Sequence, residues 1–148
     1  MRIFGQLYTD GNSTPQSGVT TAVKCTQWEH GYPTRDQWGV TADETTNNRL
    51  TINHSGRYRI EVAGEMSASA LSDPVSVIVY KNGAALTRAT AKVTVTANGD
   101  YFTFAILAFD ECVHGDYFEV YIASQASSNL LLENGTFSVT CVGPREDR

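Results

Sequence analysis

Few side chains in this sequence could do covalent or acid–base chemistry. There are three histidines, His30, His54 and His114, and none of them lies in the setting of a nucleophile elbow. A hydrolase needs a nucleophile, a base and an orienting acid, and no spacing in the sequence supplies that set. His114 precedes Gly115 and Asp116, which is typical of a turn before a strand. The sequence therefore predicts that the protein is not an enzyme and has no catalytic residues.

An acidic loop is the second group of residues with a chemical role to consider. Asp110, Glu111, His114 and Asp116 lie close together in the chain, with Cys112 among them. Their oxygen ligands could hold calcium, although the spacing is not that of a twelve-residue calcium loop, and acidic residues at strand ends are usually solvated. Cys112 with His114 lacks the two further ligands of a zinc site. We expect no cofactor and no metal, and if calcium binds, its candidate ligands are Asp110, Glu111 and Asp116.

Two tryptophans frame a polar loop that could recognise a partner. Trp28, Tyr32 and Trp38 lie among charged residues, and such aromatic side chains can stack on a sugar ring or dock on a protein surface. The alternative is that both tryptophans close the end of a sandwich, each burying its ring at the terminus of a strand. Both interpretations stay open, with Trp28, Tyr32 and Trp38 as the candidates for surface recognition.

Alternating hydrophobicity organises most of the chain into strands. Tyr58, Ile60 and Val62 share one face and charged residues occupy the other, which is typical of a strand with one buried face. Asn-Gly pairs at residues 82, 98 and 134 predict tight turns, and no segment has a sustained helical period. Strands are predicted over residues 2–9, 19–28, 47–53, 56–66, 75–80, 85–97, 101–109, 116–124 and 136–142.

Strands at this regular spacing predict an all-β fold, an antiparallel two-sheet jelly-roll sandwich of about ten strands. The 148 residues have the length of one domain. We assign residues 1–143 to a single jelly-roll domain and residues 144–148 to a charged, flexible C-terminal tail.

Charge and cysteine content limit the partners and the compartment. The net charge is −5 and the basic residues are scattered, which argues against a nucleic-acid partner. No run approaches the roughly 18 apolar residues of a membrane span, so membrane insertion is not expected. Cys25, Cys112 and Cys141 have the spacing of neither a zinc site nor a disulfide scaffold, and we expect buried thiols in a protein made in a reducing compartment.

Four short motifs resemble the globular-head family of complement and tumour-necrosis-factor-like proteins. In the family's order, they are Gly56-Arg57-Tyr58, Tyr80-Lys81-Asn82-Gly83, Gly115-Asp116-Tyr117-Phe118-Glu119-Val120 and Gly135-Thr136-Phe137-Ser138. Residues 4–8 are similar to bacteriophage and bacterial members, and we expect no collagen-like stalk before them, unlike in the vertebrate complement heads. The resemblance implies a ten-strand jelly roll that assembles as a homotrimer, in a group of which some members bind calcium near the threefold axis.

Aromatic side chains on strands that are apolar on both faces need a cover. An isolated sandwich covers only one face of each sheet, and aromatic residues are enriched in subunit contacts. The alternative is that loops, such as the one between the tryptophans, fold over them. We predict an oligomer interface that contains Tyr58, Tyr101, Phe109, Tyr117 and Tyr121.

Together, these observations predict a non-enzymatic, trimeric structural or binding module. The first hypothesis is a phage virion component, such as a capsid decoration, head-fibre or tail-associated knob protein, made in the host cytoplasm and attached to capsid or tail proteins. The alternative is a secreted, extracellular adhesin or carbohydrate-binding head, which would meet a host-surface glycan through the Trp28–Trp38 loop.

Overall fold

The computed structural model describes residues 2–33, 39–70 and 72–145, and within them the chain forms strands and turns without a helix. These residues therefore include no helix that could cross a membrane. Of the predicted C-terminal tail, residues 146–148 lie outside the described residues. The strands are β1 (Phe4–Asp10), β2 (Gln16–Ser17), β3 (Val23–Lys24), β4 (His30–Tyr32), β5 (Val40–Asp43), β6 (Arg49–Ile52), β7 (Gly56–Ala68), β8 (Asp73–Lys81), β9 (Ala84–Val95), β10 (Tyr101–Cys112), β11 (Tyr117–Ser124) and β12 (Asn129–Gly143).

The strands form two antiparallel sheets that pack face to face. The first sheet has the order β10-β7-β12-β1-β4, with β2 paired to β12. The second sheet has the order β5-β6-β11-β8-β9, with β3 paired to β11. The edge strands β9 and β10 contact each other on one side, and β4 contacts β5 on the other. The predicted all-β, antiparallel, two-sheet sandwich is confirmed, and strands β2, β3 and β4 are too short for an alternating pattern to reveal.

The core between the sheets follows the alternation of the sequence. On β7, Tyr58, Ile60 and Val62 point inward and are completely buried, while Arg57 and Glu61 point outward. Removal of this apolar surface from water is the main driving force for folding. The other large side chains that are completely buried include Leu7, Leu50, Ile52, Met66, Phe118, Ile122, Leu130, Leu132 and Phe137.

Two of the three predicted Asn-Gly turns are present, and the prediction of the third, at Asn134-Gly135, is wrong. Asn82 and Gly83 both have positive φ and join β8 to β9, and Gly99 has positive φ between β9 and β10. Asn134 and Gly135, however, lie within β12, at a register shift that marks a bulge. The Asn134 side chain donates to Glu65 and accepts from a backbone N–H of the neighbouring chain segment, so it fixes the bulge rather than a turn.

The predicted strand over residues 19–28 is also wrong for most of its length. Only β3 is a strand there, with single backbone bonds from β11 to Val19 and Cys25, and side-chain amides occupy other backbone groups that a longer ladder would use. Gln27 donates to the carbonyl of Leu130 and accepts from the N–H of Leu132. Gln16 likewise accepts from the N–H of Thr26 and donates to the carbonyl of Lys24. Side chains therefore link the segment to the first sheet, while the backbone bonds of β3, and those of Val19 and Cys25, link it to β11 of the second sheet.

All three cysteines are free thiols, and Cys25 and Cys112 are buried as predicted, while Cys141 is half-buried. Burial raises the pKa of both Cys25 and Cys112 to about 12. Both thiols therefore stay protonated near neutral pH and lack the thiolate form that reacts.

Candidate functional site

The edge strand β10 has apolar residues on its outward side. Tyr101, Leu107 and Phe109 are 53%, 61% and 51% exposed, and the smaller Thr103 and Ala105 lie between them. The inward positions of the strand fill the core, so the strand is apolar on both faces, and only β7 lies beside it in the sheet. An exposed row of large apolar side chains is typical of a contact surface.

The opposite edge of the same sheet also bears aromatic side chains. On β1 and β4, the rings of Phe4 and Tyr32 have centroids 6.1 Å apart, and those of Tyr8 and His30 are 4.9 Å apart. Tyr32 is 48% exposed, while Phe4 and Tyr8 are half-buried. These four side chains form a second aromatic patch, separated from the β10 row by β7 and β12.

Between the two edges, the outward side chains of the sheet are mostly polar, and several of them are short. Arg59 and Glu61 of β7 form an ion pair with Nε and Oε1 at 2.7 Å. Further along, short side chains leave a shallow depression of about 360 Å³. It is lined by Ala63, Gly64, Glu65, Thr103, Asn134, Gly135 and Thr136. We call the outward side of β10, β7, β12, β1 and β4 the first-sheet face.

The strand register aligns the apolar residues of the two edges. Residues that are paired across neighbouring strands form a cross-strand row. Phe109 is paired with Arg59, Arg59 with Thr140, and Thr140 with Phe4, so Phe109 and Phe4 lie at the two ends of one such row. In the next row, Leu107 lies opposite Glu61, and the row continues through Ser138 and Gln6 to Tyr32. Each row thus begins and ends with an apolar side chain and is polar in the middle.

The five predicted interface residues do not lie on one surface. Tyr101 and Phe109 belong to the first-sheet face. Tyr58 lies inside the protomer, where its hydroxyl donates to the carbonyl of His54 at 2.6 Å and burial raises its pKa. Its assignment to an interface is wrong, because no part of the side chain is exposed.

Tyr117 and Tyr121 lie on the opposite side of the molecule, on the outward face of the second sheet, and are half-buried there. The ring of Tyr121 stacks on Tyr80 with centroids 3.7 Å apart, and the Arg49 guanidinium lies 4.0 Å from the centroid of Tyr117. Neighbouring strands therefore supply much of the cover that the sequence had assigned to a second subunit.

The predicted recognition residues of the tryptophan loop also lie in different environments. Trp28 is 3% exposed and its ring packs against Phe137, with centroids 5.9 Å apart. Its prediction as a surface-recognition residue is therefore wrong, and the alternative interpretation, in which it closes the sandwich, agrees with its position. Tyr32 is exposed and joins the aromatic patch on β1 and β4. Trp38 lies outside the described residues.

A lysine lies among the candidate calcium ligands. The ammonium of Lys81 is 2.8 Å from Asp110 and 3.6 Å from Asp116. Burial by itself would raise the pKa of Asp116, but hydrogen bonds from Asn82 and from the N–H of Val113, with Lys81 nearby, lower it. Both carboxylates therefore have a counter-ion within the protomer.

The remaining contacts complete the neutralisation of this loop. Arg88 pairs with Asp110 at 2.9 Å, and Arg57 pairs with Glu111 at 3.5 Å. Among the residues that the structure describes, no three His, Cys, Asp or Glu side chains are grouped as a metal site requires. The structure thus does not bring Asp110, Glu111 and Asp116 together as a set of calcium ligands.

Sequence reasoning missed the aromatic patch on β1 and β4. Phe4 and Tyr8 alternate with the buried Leu7, so the pattern already placed two aromatic rings on the outward side of β1. His30 and Tyr32 were assigned to a loop, because the three-residue strand β4 is too short to recognise. Leu107, the most exposed large apolar side chain among the residues that the structure describes, was visible in the alternation of β10 but was not chosen as a site residue.

Comparison with solved structures identifies the architecture. The Eiger TNF from S. frugiperda superposes with a TM-score of 0.69 at 14% sequence identity, over 99% of this chain and 96% of that one. The chain folds as a TNF-like jelly roll. Murine APRIL superposes with a TM-score of 0.65, also at 14% identity, over 96% of this chain and all of that one. No protein-family model and no curated protein sequence matches the chain.

Proposed function

We propose that the protein is a non-enzymatic binding module that assembles as a homotrimer through the first-sheet face. The observation that carries the proposal is the alignment of exposed apolar side chains on β10 with the exposed Tyr32 and the half-buried Phe4 at the opposite edge of that face. The resemblance of the four sequence motifs to tumour-necrosis-factor-like proteins, which implies a homotrimer, supports the same assembly here.

The row alignment provides a specific way for copies to meet. If the symmetry axis that relates the copies is parallel to the strands, the rotation leaves each cross-strand row at the same position along that axis. Phe109 of one copy then approaches Phe4 of the next, and Leu107 approaches Tyr32. The two patches differ, so the contact is heterologous, and three such contacts close a ring. The Arg59–Glu61 ion pair lies within each protomer.

The energetics favour burial of these side chains. Complete burial of a Leu or Phe side chain contributes roughly 1.5–3 kcal/mol. Leu107 and Phe109 are 61% and 51% exposed, so covering each contributes about 1 kcal/mol or more. The aromatic rings of the opposite patch add to this at every contact, and polar residues around both patches are typical of the rim of an interface.

The finer assignment to a phage virion, as a capsid decoration, head-fibre or tail-associated knob protein, rests on the sequence resemblance of residues 4–8 and stays a prediction. The alternative of a carbohydrate-binding head loses one of its three aromatic residues, because Trp28 is buried. The virion component therefore remains the hypothesis that we propose for the trimer.

Light scattering coupled to size exclusion tests the assembly. We expect a mass near three times 16.2 kDa, and a monomer across the accessible concentrations would overturn the proposal. The double variant Leu107→Glu/Phe109→Glu should be monomeric. Thr94→Glu/Gln125→Glu, which adds the same charge at exposed positions of the second sheet and a turn, should remain trimeric.

Cross-linking tests the row alignment separately. The double variant Phe4→Cys/Phe109→Cys should form oxidant-dependent links between subunits up to a covalent trimer, and wild type under the same oxidant provides the background of the native thiols. A trimer by mass that does not cross-link would retain the assembly but reject these rows as its contacts.

A further inference from the structure

The outward face of the second sheet carries a cluster that the proposed assembly leaves free. Tyr80 and Tyr121, from adjacent strands, stack with their ring planes 8° apart. On the next strand, Arg49 covers the ring of Tyr117. Tyr and Arg are the residue types that contribute most to binding surfaces, and these four are already held in place by one another. Little conformational freedom would be lost when a partner binds.

The same cluster has more cations than accessible anions. Glu119 lies at its centre with a side chain that is 4% exposed, and Lys24 and Arg49 approach the same oxygen at 3.1 and 3.5 Å. One buried carboxylate thus serves two cations, whose own side chains are 29% and 27% exposed. The other carboxylate on this face, that of Asp43, accepts hydrogen bonds from its own turn.

A third cation lies across the face. Lys92 is exposed on β9 and is paired with Ser76, which shares the outward side of β8 with Tyr80. Across the strands, from Lys24 on β3 through β11 and β8 to Lys92 on β9, the separation is three strand spacings, or about 14 Å, and Lys92 lies two residues further along the strands. The stacked rings on β8 and β11 therefore lie beside Lys24 and Arg49, and Lys92 lies on the far edge strand and further along the sheet, on a molecule whose net charge is −5.

We propose that this face, with Lys24, Arg49, Lys92, Tyr80 and Tyr121, binds an acidic polysaccharide. Acidic groups at intervals along such a polymer pair with these cations, and its sugar rings contact the tyrosines. A second copy of the chain is not the occupant, because two such faces would bring like charges together. Each protomer carries the complete face, so the proposal does not depend on the trimer, although three copies would increase avidity.

The test begins with two polymers, dextran sulfate and dextran, that differ only in their acidic groups. Immobilised dextran sulfate should bind the protein at low ionic strength, and unsubstituted dextran should not. Alginate, which carries carboxylates, shows whether sulfate is required, and binding to either acidic polymer supports the proposal. Poly-glutamate tests the alternative occupant, an acidic peptide, and equal or tighter binding to it would overturn the assignment to a sugar polymer.

Variants locate the binding surface. Lys24→Gln/Lys92→Gln should weaken binding to dextran sulfate about tenfold, since each lost exposed ion pair contributes up to about 1 kcal/mol. Arg2→Gln/Arg145→Gln removes the same charge from exposed positions near the two termini and should change binding less than twofold. Equal losses in the two variants would show that only net charge matters and would overturn the site.

Two single variants keep the test decisive if the double variant fails to fold. Lys92→Gln alters an exposed position and should weaken dextran sulfate binding about threefold, because one ion pair is lost. Tyr80→Leu keeps an apolar side chain but removes the flat ring, and it should weaken binding to dextran sulfate more than to poly-glutamate. Unchanged binding in both variants would reject the face.

Discussion

Asp73 is a completely buried carboxylate that joins the start of β8 to the turn between β11 and β12. One of its oxygens accepts hydrogen bonds from the hydroxyls of Ser124 and Ser128, at 2.6 and 2.5 Å. The other accepts from the N–H of Ala126 at 3.0 Å. We predict that Asp73→Ala lowers the free energy of unfolding by about 3–5 kcal/mol.

The magnitude follows from the two buried donors. A hydrogen bond to a charged group contributes roughly 1.5–3 kcal/mol, and both serine hydroxyls would lose one. The serine oxygens are 3.1 Å apart, so the hydroxyls can bond to each other and recover part of the loss. Ala126 lies at an exposed position, where water can replace the carboxylate. Asp73→Asn keeps the shape and one acceptor oxygen, and it should cost about half as much.

The pH dependence has a definite sign. Burial by itself would raise the pKa of Asp73, but the hydrogen bonds from Ser124, Ser128 and Ala126 outweigh it and lower the pKa below its usual value. The unfolded chain has an aspartate pKa of about 3.9. The contribution to stability is therefore fully present above about pH 4 and is lost as the pH falls through the lower, folded value. The difference in unfolding free energy between wild type and Asp73→Asn should shrink in that range.

Urea unfolding at a fixed protein concentration measures these differences, since subunit association would add a concentration dependence. Asp43→Ala is the matched control. Asp43 also accepts hydrogen bonds from its own turn, through Thr45, Thr46 and Asn47, but it is only half-buried, and we expect a loss of about 1 kcal/mol. If Asp73→Ala cost no more than Asp43→Ala, the reasoning from burial and hydrogen bonding would be refuted.

Three further predictions concern residues with distinct roles. Trp28→Ala should lower the unfolding free energy by about 3–5 kcal/mol, measured by urea titration, and an undiminished stability would return Trp28 to the surface-recognition role. Gly135→Ala should cost about 1–3 kcal/mol in the same assay, because a Cβ there would lie 2.9 Å from Leu132, and an unaffected variant would show that β12 shifts freely. Lys81→Met should raise the pKa of Asp116 in an NMR titration, since a nearby cation is lost, and an unchanged pKa would mean that hydrogen bonds alone hold it low.

The sequence predicted the strands and turns of the sandwich well where a local property, such as alternating hydrophobicity or a residue that tolerates positive φ, decides the structure. The alternation of β7 separates Tyr58 from Arg57, and Asn82-Gly83 has the positive φ values that a tight hairpin needs. Asn134-Gly135 has the same local signal, yet it lies in a bulge because the Asn134 side chain bonds to Glu65, a residue distant in the chain. A local sequence pattern cannot predict a contact between residues that are distant in the chain.

The site was harder to predict because a residue type does not tell which surface covers it. Tyr58 and Trp28 are both aromatic and were both assigned to surfaces, yet each is buried inside the protomer. For Tyr58, the alternation already placed it with the core residues, and its assignment to an interface overrode that signal. For Trp28, only the packing of its ring on Phe137 distinguishes the two interpretations, and that contact depends on the folded sheets.

Strands β10 and β11 show why an apolar pattern on both faces has two structural solutions. β11 lies inside its sheet, where neighbouring strands place Tyr80 against Tyr121 and Arg49 over Tyr117, so its outward rings are largely covered within the protomer. β10 is an edge strand with only β7 beside it in the sheet. Its large outward side chains, Tyr101, Leu107 and Phe109, are each more than half exposed. The same sequence pattern therefore predicts a subunit contact only when the strand lies at an edge, and strand order, which depends on long-range pairing, decides between the two.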